Sequence, residues 1–305
     1  MKKDISRNKH KNVYERQKMW TGYAFIAPAA FGLLAFIFIP TILAFAISFF
    51  DWNLTKEATF VSLTNYQNAI NDKLFYNAIK VTLQYMVYHI PASLVLAFLM
   101  ALAIRKGIRG ASVFRTAYLL PWITTPIIIS YIWNLMLDGS FGVINYLSKG
   151  IGINLMPMFR TLWWPMVSIA LVNMWIYCGY HMMIFVAGLG NIPSTLYEAA
   201  TIDGANGWTK LTKITIPLMR PTIMFSMITS VIGSFQVFDL AYGMYNGGPG
   251  DATRTYYFIL YTNAFKYFKM GYASTLAVIL FVVLVVVTLF QYKFFSKDMT
   301  TDFSM

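Results

Sequence analysis

Long uncharged, mostly apolar runs alternate with short charged segments along the chain. A helix needs about 20 apolar residues to cross the hydrocarbon core of a bilayer. Six runs reach that length, at about residues 20–49, within 80–105, at 116–137, 162–189 and 221–242, and within 269–293. The pattern therefore predicts an all-α polytopic membrane helix bundle with six transmembrane helices.

The composition agrees with a membrane protein and argues against a soluble fold. Of the 305 residues, 58% are hydrophobic and 12% are charged, whereas a soluble domain carries about 25% charged residues. The formal net charge of +12 would also suit a nucleic-acid partner. Because the basic residues flank the apolar runs and form no continuous patch, we expect a lipid bilayer around the chain and no nucleic acid.

The first apolar run follows a basic segment, as the apolar part of a secretory signal peptide does. The stretch from Met19 to Phe50 carries no charge until Asp51, and it is much longer than the about 7–15 residues of a signal peptide's apolar region. We interpret it as an uncleaved first span. Cleavage near Ala29 or Ala30 is the alternative.

The distribution of lysine and arginine predicts the orientation. Six spans place both termini on one side, and the segments on that side carry about twice as many Lys and Arg residues as the opposite segments. The richer side is cytoplasmic by the positive-inside rule. We therefore expect cytoplasmic tails at 1–19 and 293–305, a six-helix transmembrane domain at 20–292, and a location in the cell membrane.

The connection between the fourth and fifth runs, residues 190–217, carries strong local signals, and we call it the elbow. Pro193 and Ser194 can begin a short helix, with Ser194 as its N-cap. Gly204 is suited to end that helix in the left-handed conformation. Asn206 can then cap a second helix. These residues predict two short helices that meet at an angle.

The predicted second helix has an apolar stripe, because Trp208, Leu211 and Ile214 recur every three residues. We expect Pro217 to end this helix and Pro221 to begin the fifth span. A short surface helix with an apolar ridge can bind a groove on a partner protein. It can also pack on its own bundle, and the residues alone leave both uses open.

Several segments match a known pattern. Glu198-Ala199-Ala200, Asp203-Gly204-Ala205 and Ile214-Thr215-Ile216-Pro217 resemble, in order and spacing, the EAA loop of binding-protein-dependent ABC importer permeases. Similarity to the carbohydrate branch of these permeases extends to Tyr118–Pro121, Gly142–Asn145 and Asn246–Pro249. The chain resembles the first of two paired subunits, the kind related to maltose, lactose and glycerol-phosphate permeases. The resemblance covers nearly the whole chain and implies the type I ABC importer permease fold.

The resemblance implies that the elbow is a docking element. In that family the EAA loop docks into a cleft of a cytoplasmic ATPase subunit, and closure of the ATPase dimer switches the permease pair from inward-facing to outward-facing. The implied partners are a second permease subunit, two cytoplasmic ATPase subunits and an extracellular sugar-binding protein. The implied ATPase-coupling residues are Glu198, Ala199, Ala200, Asp203, Gly204, Trp208, Ile214 and Pro217.

Three positions of the elbow carry specific expectations. Glu198 would accept hydrogen bonds from the ATPase or pair with one of its basic groups, and Gly204 would allow the sharp turn between the two short helices. Leu211 departs from the family, where many relatives carry phenylalanine. We expect only a minor effect of this departure on packing.

The sequence contains no nucleotide-binding or catalytic motif. The phosphate loop G-x-x-x-x-G-K-[ST] is missing, so ATP and magnesium are expected on the partner ATPase, and no cofactor or metal on this chain. His10, His89 and His181 lack the spacing of metal ligands, and we expect the latter two to form hydrogen bonds within the bundle. The sequence therefore predicts a transport subunit and not an enzyme.

A sugar pathway requires amide and hydroxyl side chains beside aromatic rings within the membrane, where polar groups are costly unless they face a cavity or a partner. In the family the equivalent helices line the substrate site. Two helical faces carry such side chains: Asn173, Tyr177 and Tyr180 on the fourth run, and Thr229, Gly233 and Gln236 on the fifth. They are the candidate substrate-binding residues, and hydrogen bonding between helices is the alternative.

Asp239, near the far end of the fifth run, has two possible roles: a cap of that span, or a partner for a basic group of the sister subunit. No basic residue lies deep in an apolar run to pair with an anionic ligand, which favours a neutral sugar. The alternative function is an ion-coupled secondary transporter of small solutes, which would need buried carboxylates. A scaffold or channel without pumping is the third possibility and predicts no dependence on ATP.

Overall fold

The computed structural model describes residues 2–105, 110–153 and 161–299. Lys106, Arg109 and Arg160, which contributed to the predicted orientation, lie outside the described residues. The helices of the first half are α1 Lys2–Leu33, α2 Ile39–Ile47, α3 Thr64–Asn71, α4 Lys73–Arg105, α5 Ala111–Ile123, α6 Pro126–Met136 and α7 Val143–Gly150. Those of the second half are α8 Trp164–Gly190, α9 Ser194–Ile202, α10 Gly207–Lys210, α11 Ile216–Phe235, α12 Asp239–Tyr245, α13 Tyr256–Tyr261 and α14 Met270–Met299.

Three π-helical turns interrupt or extend these helices, at Leu34–Phe38, Leu211–Thr215 and Thr262–Lys266. The strands β1 Phe50–Asp51 and β2 Thr59–Phe60 pair antiparallel.

Within the described residues five stretches have the length and apolarity to cross a membrane: Lys18–Ile47, Lys73–Arg105, Trp164–Gly190, Gly207–Phe235 and Met270–Phe294. A sixth span exists only if the bent pair α5–α6 counts as one, so the prediction of six spans depends on this pair.

The predicted third span, residues 116–137, is not one straight helix. The helices α5 and α6 meet at an angle of 94°. Thr124 and Thr125, which separate them, have extended ψ angles of 141° and 119°. The clash between a proline ring and the preceding residue favours such a conformation, and Pro126 follows Thr125. The bend is the physical consequence of a proline that begins a new helix.

The predicted fifth span is displaced at both ends. Pro217 does not end the second elbow helix, because Gly207–Phe235 runs as one continuous helical stretch through the π-turn Leu211–Thr215. A π-turn is wider than an α-turn, and it leaves room for the ring of Pro217 directly after it. Pro221 likewise lies inside this helix.

At its far end the fifth helix stops at Phe235 and not at Tyr242. Phe238 then has a non-helical φ of −136° and precedes α12 as its N-cap. Asp239 is therefore the first residue of a separate short helix. The proposed capping of the fifth span by Asp239 is wrong, since Gln236 occupies the C-cap of α11.

The core of the bundle is built around α4 and α8, which form the most extensive helix pair. Three clusters of buried apolar side chains surround this pair. Gly179 of α8 allows α5 to pack directly on it, because a Cβ atom at this position would lie 1.9 Å from the carbonyl oxygen of Tyr118. The first span contrasts with this core, since none of its most apolar window is buried.

Candidate functional site

The elbow consists of α9, a tight turn and α10, as the sequence predicts. Ser194, however, is the first residue of α9 and makes no capping hydrogen bond, and Pro193 occupies the N-cap position. Proline lacks a backbone N–H, and this costs nothing at the start of a helix, since the first N–H groups of a helix have no acceptor within it. The expected role of Ser194 as N-cap is therefore wrong.

The turn between the two helices is fixed by local hydrogen bonds. Gly204 has a φ of +77°, which confirms the left-handed end of α9. The amide of Ala205 donates to the carbonyl of Ala200 at 2.8 Å. Asn206 caps α10, because its Oδ1 accepts from the backbone N–H of Thr209 at 2.8 Å. Both sequence predictions for this turn are confirmed.

Long-range contacts hold the elbow against the bundle. Arg105, at the end of α4, donates to the hydroxyl of Tyr197 at 2.9 Å, and its guanidinium lies 4.4 Å from the centre of that ring. The same hydroxyl lies 2.9 Å from Oγ1 of Thr215. Lys210 donates to Thr201 across the turn at 2.7 Å. Sequence reasoning missed Arg105 and Tyr197, which are 92 positions apart.

The predicted apolar stripe of the second elbow helix divides between two environments. Ile214 packs against the buried cluster around Met182 and Phe185. Trp208 is 72% exposed and borders an open pocket of about 860 Å³ between the elbow and α4. Ile202, at the tip of α9, is 88% exposed. Ile214 of the elbow therefore packs on the bundle, whereas Trp208 and Ile202 are exposed.

The remaining predicted coupling residues follow the same division. Glu198, Ala199, Asp203 and Gly204 are exposed, and Glu198 borders the pocket between the elbow and α4. Ala200 and Pro217 are partly buried. The structure thus brings an exposed acidic and apolar surface to the end of the protein where α8 finishes and the continuous helix Gly207–Phe235 begins.

Within the bundle, a group of polar and aromatic side chains joins α4, α8 and α11; we call it the polar cluster. The amide of Asn173 donates to the hydroxyl of Tyr85. The rings of Tyr85 and His89 stack at 5.2 Å, and the ring of Tyr177 meets His89 edge-on at 6.3 Å. The members of the polar cluster are Tyr85, His89, Asn173, Tyr177, His181 and Ser230.

His181 confirms the expectation of hydrogen bonding within the bundle. It is 2% exposed, and its Nε2 lies 3.1 Å from the Oγ of Ser230 on α11. His89 is 3% exposed, and its Nδ1 has no hydrogen-bond partner among the described residues, so for this histidine the expectation stays a prediction. Neither histidine belongs to a group of three or more metal-ligating side chains among the described residues.

Tyr180 and Trp122 form an aromatic pair at the edge of the polar cluster. Their rings stack at 5.0 Å with an interplanar angle of 18°. Trp122 lies near the end of α5, just before the 94° bend, and it is 43% exposed. Sequence reasoning missed Trp122 as a neighbour of Tyr180, because the fold alone brings α5 against α8.

The candidate residues of the fifth span lie on a more open face than those of the fourth. Gln236 and Gly233 are exposed, and a Cβ atom at Gly233 would meet nothing within 4 Å. Thr229 donates to the carbonyl of Phe225 in its own helix at 3.0 Å. Among the described residues, the two candidate faces share no hydrogen bond.

The chain is similar to known proteins along most of its length. Residues 90–301 match the family described as binding-protein-dependent transport system inner membrane component. The probable ABC transporter permease protein YesP of Bacillus subtilis is 33% identical over 91% of each chain. The arabinooligosaccharides transport system permease protein AraP of Bacillus subtilis is 32% identical over 89% of this chain and 87% of that one.

A solved structure has the same fold. It belongs to a bacterial ABC transporter involved in the import of the acidic polysaccharide alginate, with a TM-score of 0.80 and 21% identity, covering 94% of this chain and 99% of that chain. The likeness confirms the predicted type I ABC importer permease fold. By its family match and its relatives, the chain belongs to the inner membrane components of binding-protein-dependent transport systems, the permease subunits of ABC importers.

Proposed function

We propose that this permease moves a neutral sugar or oligosaccharide inward and that the elbow transmits the force of a separate cytoplasmic ATPase. The observation that carries the proposal is the exposed tip of the elbow. Ile202 and Trp208 expose 88% and 72% of their surface at the end of the bundle. Large apolar side chains exposed together mark interaction sites.

The chemistry of the elbow suits a protein groove on the ATPase. Buried aromatic and aliphatic anchors supply most of the binding energy of an interface, and polar groups form its rim. We assign Ile202 and Trp208 as such anchors, and the exposed carboxylates of Glu198 and Asp203 supply polar groups on the same elbow. The bonds of Tyr197 to Arg105 and Thr215 support the elbow from behind.

The continuous helix from Gly207 to Phe235 supports a mechanical role. Its 29 residues extend about 44 Å at 1.5 Å per residue. One end carries the elbow, and the other ends at Phe235 with Gln236 as its C-cap. A load applied at the elbow therefore moves the far end of a single rod, and α8, which carries Asn173 and Tyr177, meets the same elbow.

The sequence agrees with an energy supply from a separate polypeptide. The chain lacks the phosphate loop of ATP-binding proteins, so we place ATP and magnesium on the partner ATPase. We propose an assembly of this chain, a second permease subunit, two ATPase subunits and an extracellular sugar-binding protein. The first span, Lys18–Ile47, offers its apolar circumference to lipid and to the second permease subunit.

A sugar cargo is supported by the relatives and by the predicted pathway. AraP is named for the transport of arabinooligosaccharides. Asn173, Tyr177 and Gln236 combine amide and hydroxyl groups with an aromatic ring, which suits a polyol. No lysine or arginine is among the buried residues that the structure describes, and this favours a neutral cargo over an acidic one.

The orientation follows from the same proposal. Docking to a cytoplasmic ATPase requires the elbow to be cytoplasmic, which places the tails 1–19 and 293–305 on the same side. It places β1, β2 and α3 outside the cell. The excess of lysine and arginine on the elbow side supports this orientation.

The docking role is tested with Ile202→Asp in the complete transport complex. A carboxylate in an apolar groove should weaken ATPase binding at least about thirtyfold, the effect of losing an interface anchor of about 2 kcal/mol. Thr55→Asp, in the loop between β1 and β2, is the matched control and should bind the ATPase normally. Wild-type ATPase recovery with Ile202→Asp and normal uptake would refute the coupling role.

The cargo is tested by radiolabelled uptake in a deletion strain across neutral mono- and oligosaccharides and an acidic oligosaccharide. We expect loss of uptake of a neutral sugar, restored by the wild-type gene and dependent on ATP hydrolysis. Uptake that persists without the ATPase and follows an ion gradient would favour the secondary-transporter alternative.

A further inference from the structure

A polar pocket lies at the end of the bundle opposite the elbow. It has a volume of about 650 Å³, within the range of about 300–1,000 Å³ that is typical of small-molecule sites. Its walls come from α3, from the π-turn Thr262–Lys266 and from the start of α14. None of the six candidate pathway residues lines it. We call it the outer pocket.

Amide side chains line the outer pocket from three different elements. Asn68 comes from α3, Asn246 follows α12, and Asn263 belongs to the π-turn. An amide both donates and accepts hydrogen bonds, so it can pair with a hydroxyl in either role. π-turns occur frequently at functional sites, and this one contributes Thr262 and Lys266 as well.

The carboxylate of Asp72 is held in position on the wall. Its Oδ2 accepts a hydrogen bond from the hydroxyl of Tyr272 at 2.8 Å. Its Oδ1 accepts from the backbone N–H of Leu74 at 2.8 Å. A carboxylate oxygen has two acceptor positions, so Asp72 can accept further bonds from a ligand hydroxyl without losing these two.

The charge of the pocket argues against an anionic ligand. Arg254 pairs with Asp251 at 3.0 Å, and the ammonium of Lys266 lies 4.9 Å from the centre of the Tyr242 ring. Lys269 is the third cation on the wall, and two carboxylates line the pocket with it. The lining is therefore nearly balanced in charge and rich in neutral donors and acceptors.

The base of the pocket is apolar and rigid. Phe258 and Ile259 line it and are 3% and 4% exposed, and the ring of Tyr267 borders it from the solvent side. The C–H faces of a sugar ring can pack on such surfaces while its hydroxyls reach the amides. Two residues beside the lining, Ser62 and Phe268, have positive φ angles of 52° and 54°, a strained conformation that concentrates at ligand sites.

We propose that the outer pocket is a binding site for a neutral saccharide on the extracellular face, separate from the predicted pathway inside the bundle. The extracellular location rests on the proposed function, since it requires a cytoplasmic elbow. A concave pocket with amides, one fixed carboxylate and an aromatic base matches a small polyol. The site would hold cargo at the entrance before it passes between the helices.

The test uses cysteine protection in the complete complex without the binding protein. Cys178 is the chain's one cysteine and is buried, so a cysteine introduced at Thr64, an exposed lining residue with no assigned contact to the sugar, reports on the pocket. Thr64→Cys is labelled with a membrane-impermeant maleimide in the presence of maltotriose, trehalose or arabinotriose. Thr55→Cys, on the same face outside the pocket, is the control.

We expect at least one of these sugars to slow the labelling of Thr64→Cys and to leave Thr55→Cys unaffected. At about ten times its dissociation constant, mass action slows the labelling about tenfold. Adding Asn263→Leu to Thr64→Cys should remove the protection. This variant keeps the size of the side chain but lacks its amide.

Protection of Thr64→Cys by none of the three sugars would overturn the proposal. Protection only after addition of the binding protein would also overturn it, by assigning the pocket to a protein contact. If the Thr64→Cys permease takes up one of these sugars and that sugar does not protect the cysteine, the outer pocket is not a sugar site, and the proposed function remains intact. Failure of the proposed function is seen separately, as absence of any ATP-dependent sugar uptake.

Discussion

The elbow is held together mainly by residues close in sequence, whereas the polar cluster joins residues from distant helices. In the elbow, Asn206 bonds to Thr209 and Ala205 bonds to Ala200. In the polar cluster, Asn173 bonds to Tyr85, 88 positions away. The elbow can therefore change through local substitutions with the bundle intact, while the polar cluster depends on the packing of the whole bundle.

The largest effect is expected from a substitution that disrupts the packing on which the polar cluster depends. In Gly179→Ala the new Cβ atom would lie 1.9 Å from the carbonyl oxygen of Tyr118, which forces α5 away from α8. We expect a loss of about 3 kcal/mol in the free energy of unfolding, as for other overpacked sites. Thermal unfolding of the purified protein measures it.

Gly190→Ala is the matched control in the same helix, because a Cβ atom there would meet nothing within 4 Å. It should unfold at the wild-type temperature. Equal unfolding temperatures for both variants would contradict the close approach of α5 and α8.

A smaller effect is expected at the turn of the elbow. Gly204→Val places a β-branched residue at a φ of +77°, at a cost of about 1–2 kcal/mol. The strain should weaken ATPase binding and leave the unfolding temperature of the bundle nearly unchanged. Gly207→Ala, whose Cβ atom would stand in open space, is the control. Normal ATPase affinity of Gly204→Val would show that the turn plays no part in docking.

Substitutions in the predicted sugar pathway should lower sugar uptake and leave ATPase binding unchanged, the reverse of the effect at the elbow. Gln236→Ala removes an exposed amide at the end of the rod Gly207–Phe235. Loss of one hydrogen bond of about 1 kcal/mol to the sugar should lower uptake about fivefold with normal ATPase binding. Tyr177→Phe should have a similar effect. Wild-type uptake by both variants would show that these residues contribute to packing and do not bind the sugar.

The smallest effect is expected from Asn206→Ala. Loss of an N-cap costs about 1 kcal/mol of local helix stability, and here it acts only on α10. ATPase affinity should fall by a few-fold at most, while sugar affinity stays unchanged. Asn206→Asp, which retains a capping oxygen, should restore the wild-type affinity.

The same contrast explains which features could be predicted from the sequence. Gly204 and Asn206 act within a few residues of themselves, and both predictions are confirmed. The N-cap predicted at Ser194 lies one position too late in the chain, because Pro193 occupies the N-cap. Pro217 was expected to end a helix, and the π-turn before it allows the helix to continue.

Features that depend on tertiary packing were not accessible from the sequence. The sequence marks the place of the bend after Thr124 through Pro126, but not its angle of 94°. The neighbours of the candidate pathway residues, Tyr85 and Trp122, come from helices far away along the chain. Their side chains carry no periodic signal of their own, so only the folded bundle brings them to Asn173 and Tyr180.

Chemical cross-linking from the tip of the elbow examines the docking role in the assembled transporter. A cysteine at Ile202, which is 88% exposed, and one at Thr55 are compared in a background in which Cys178 is replaced by serine. We predict that Ile202→Cys cross-links to the ATPase subunit and that Thr55→Cys does not. A cross-link from Ile202→Cys to the extracellular binding protein, or none to the ATPase in an actively transporting complex, would contradict the account.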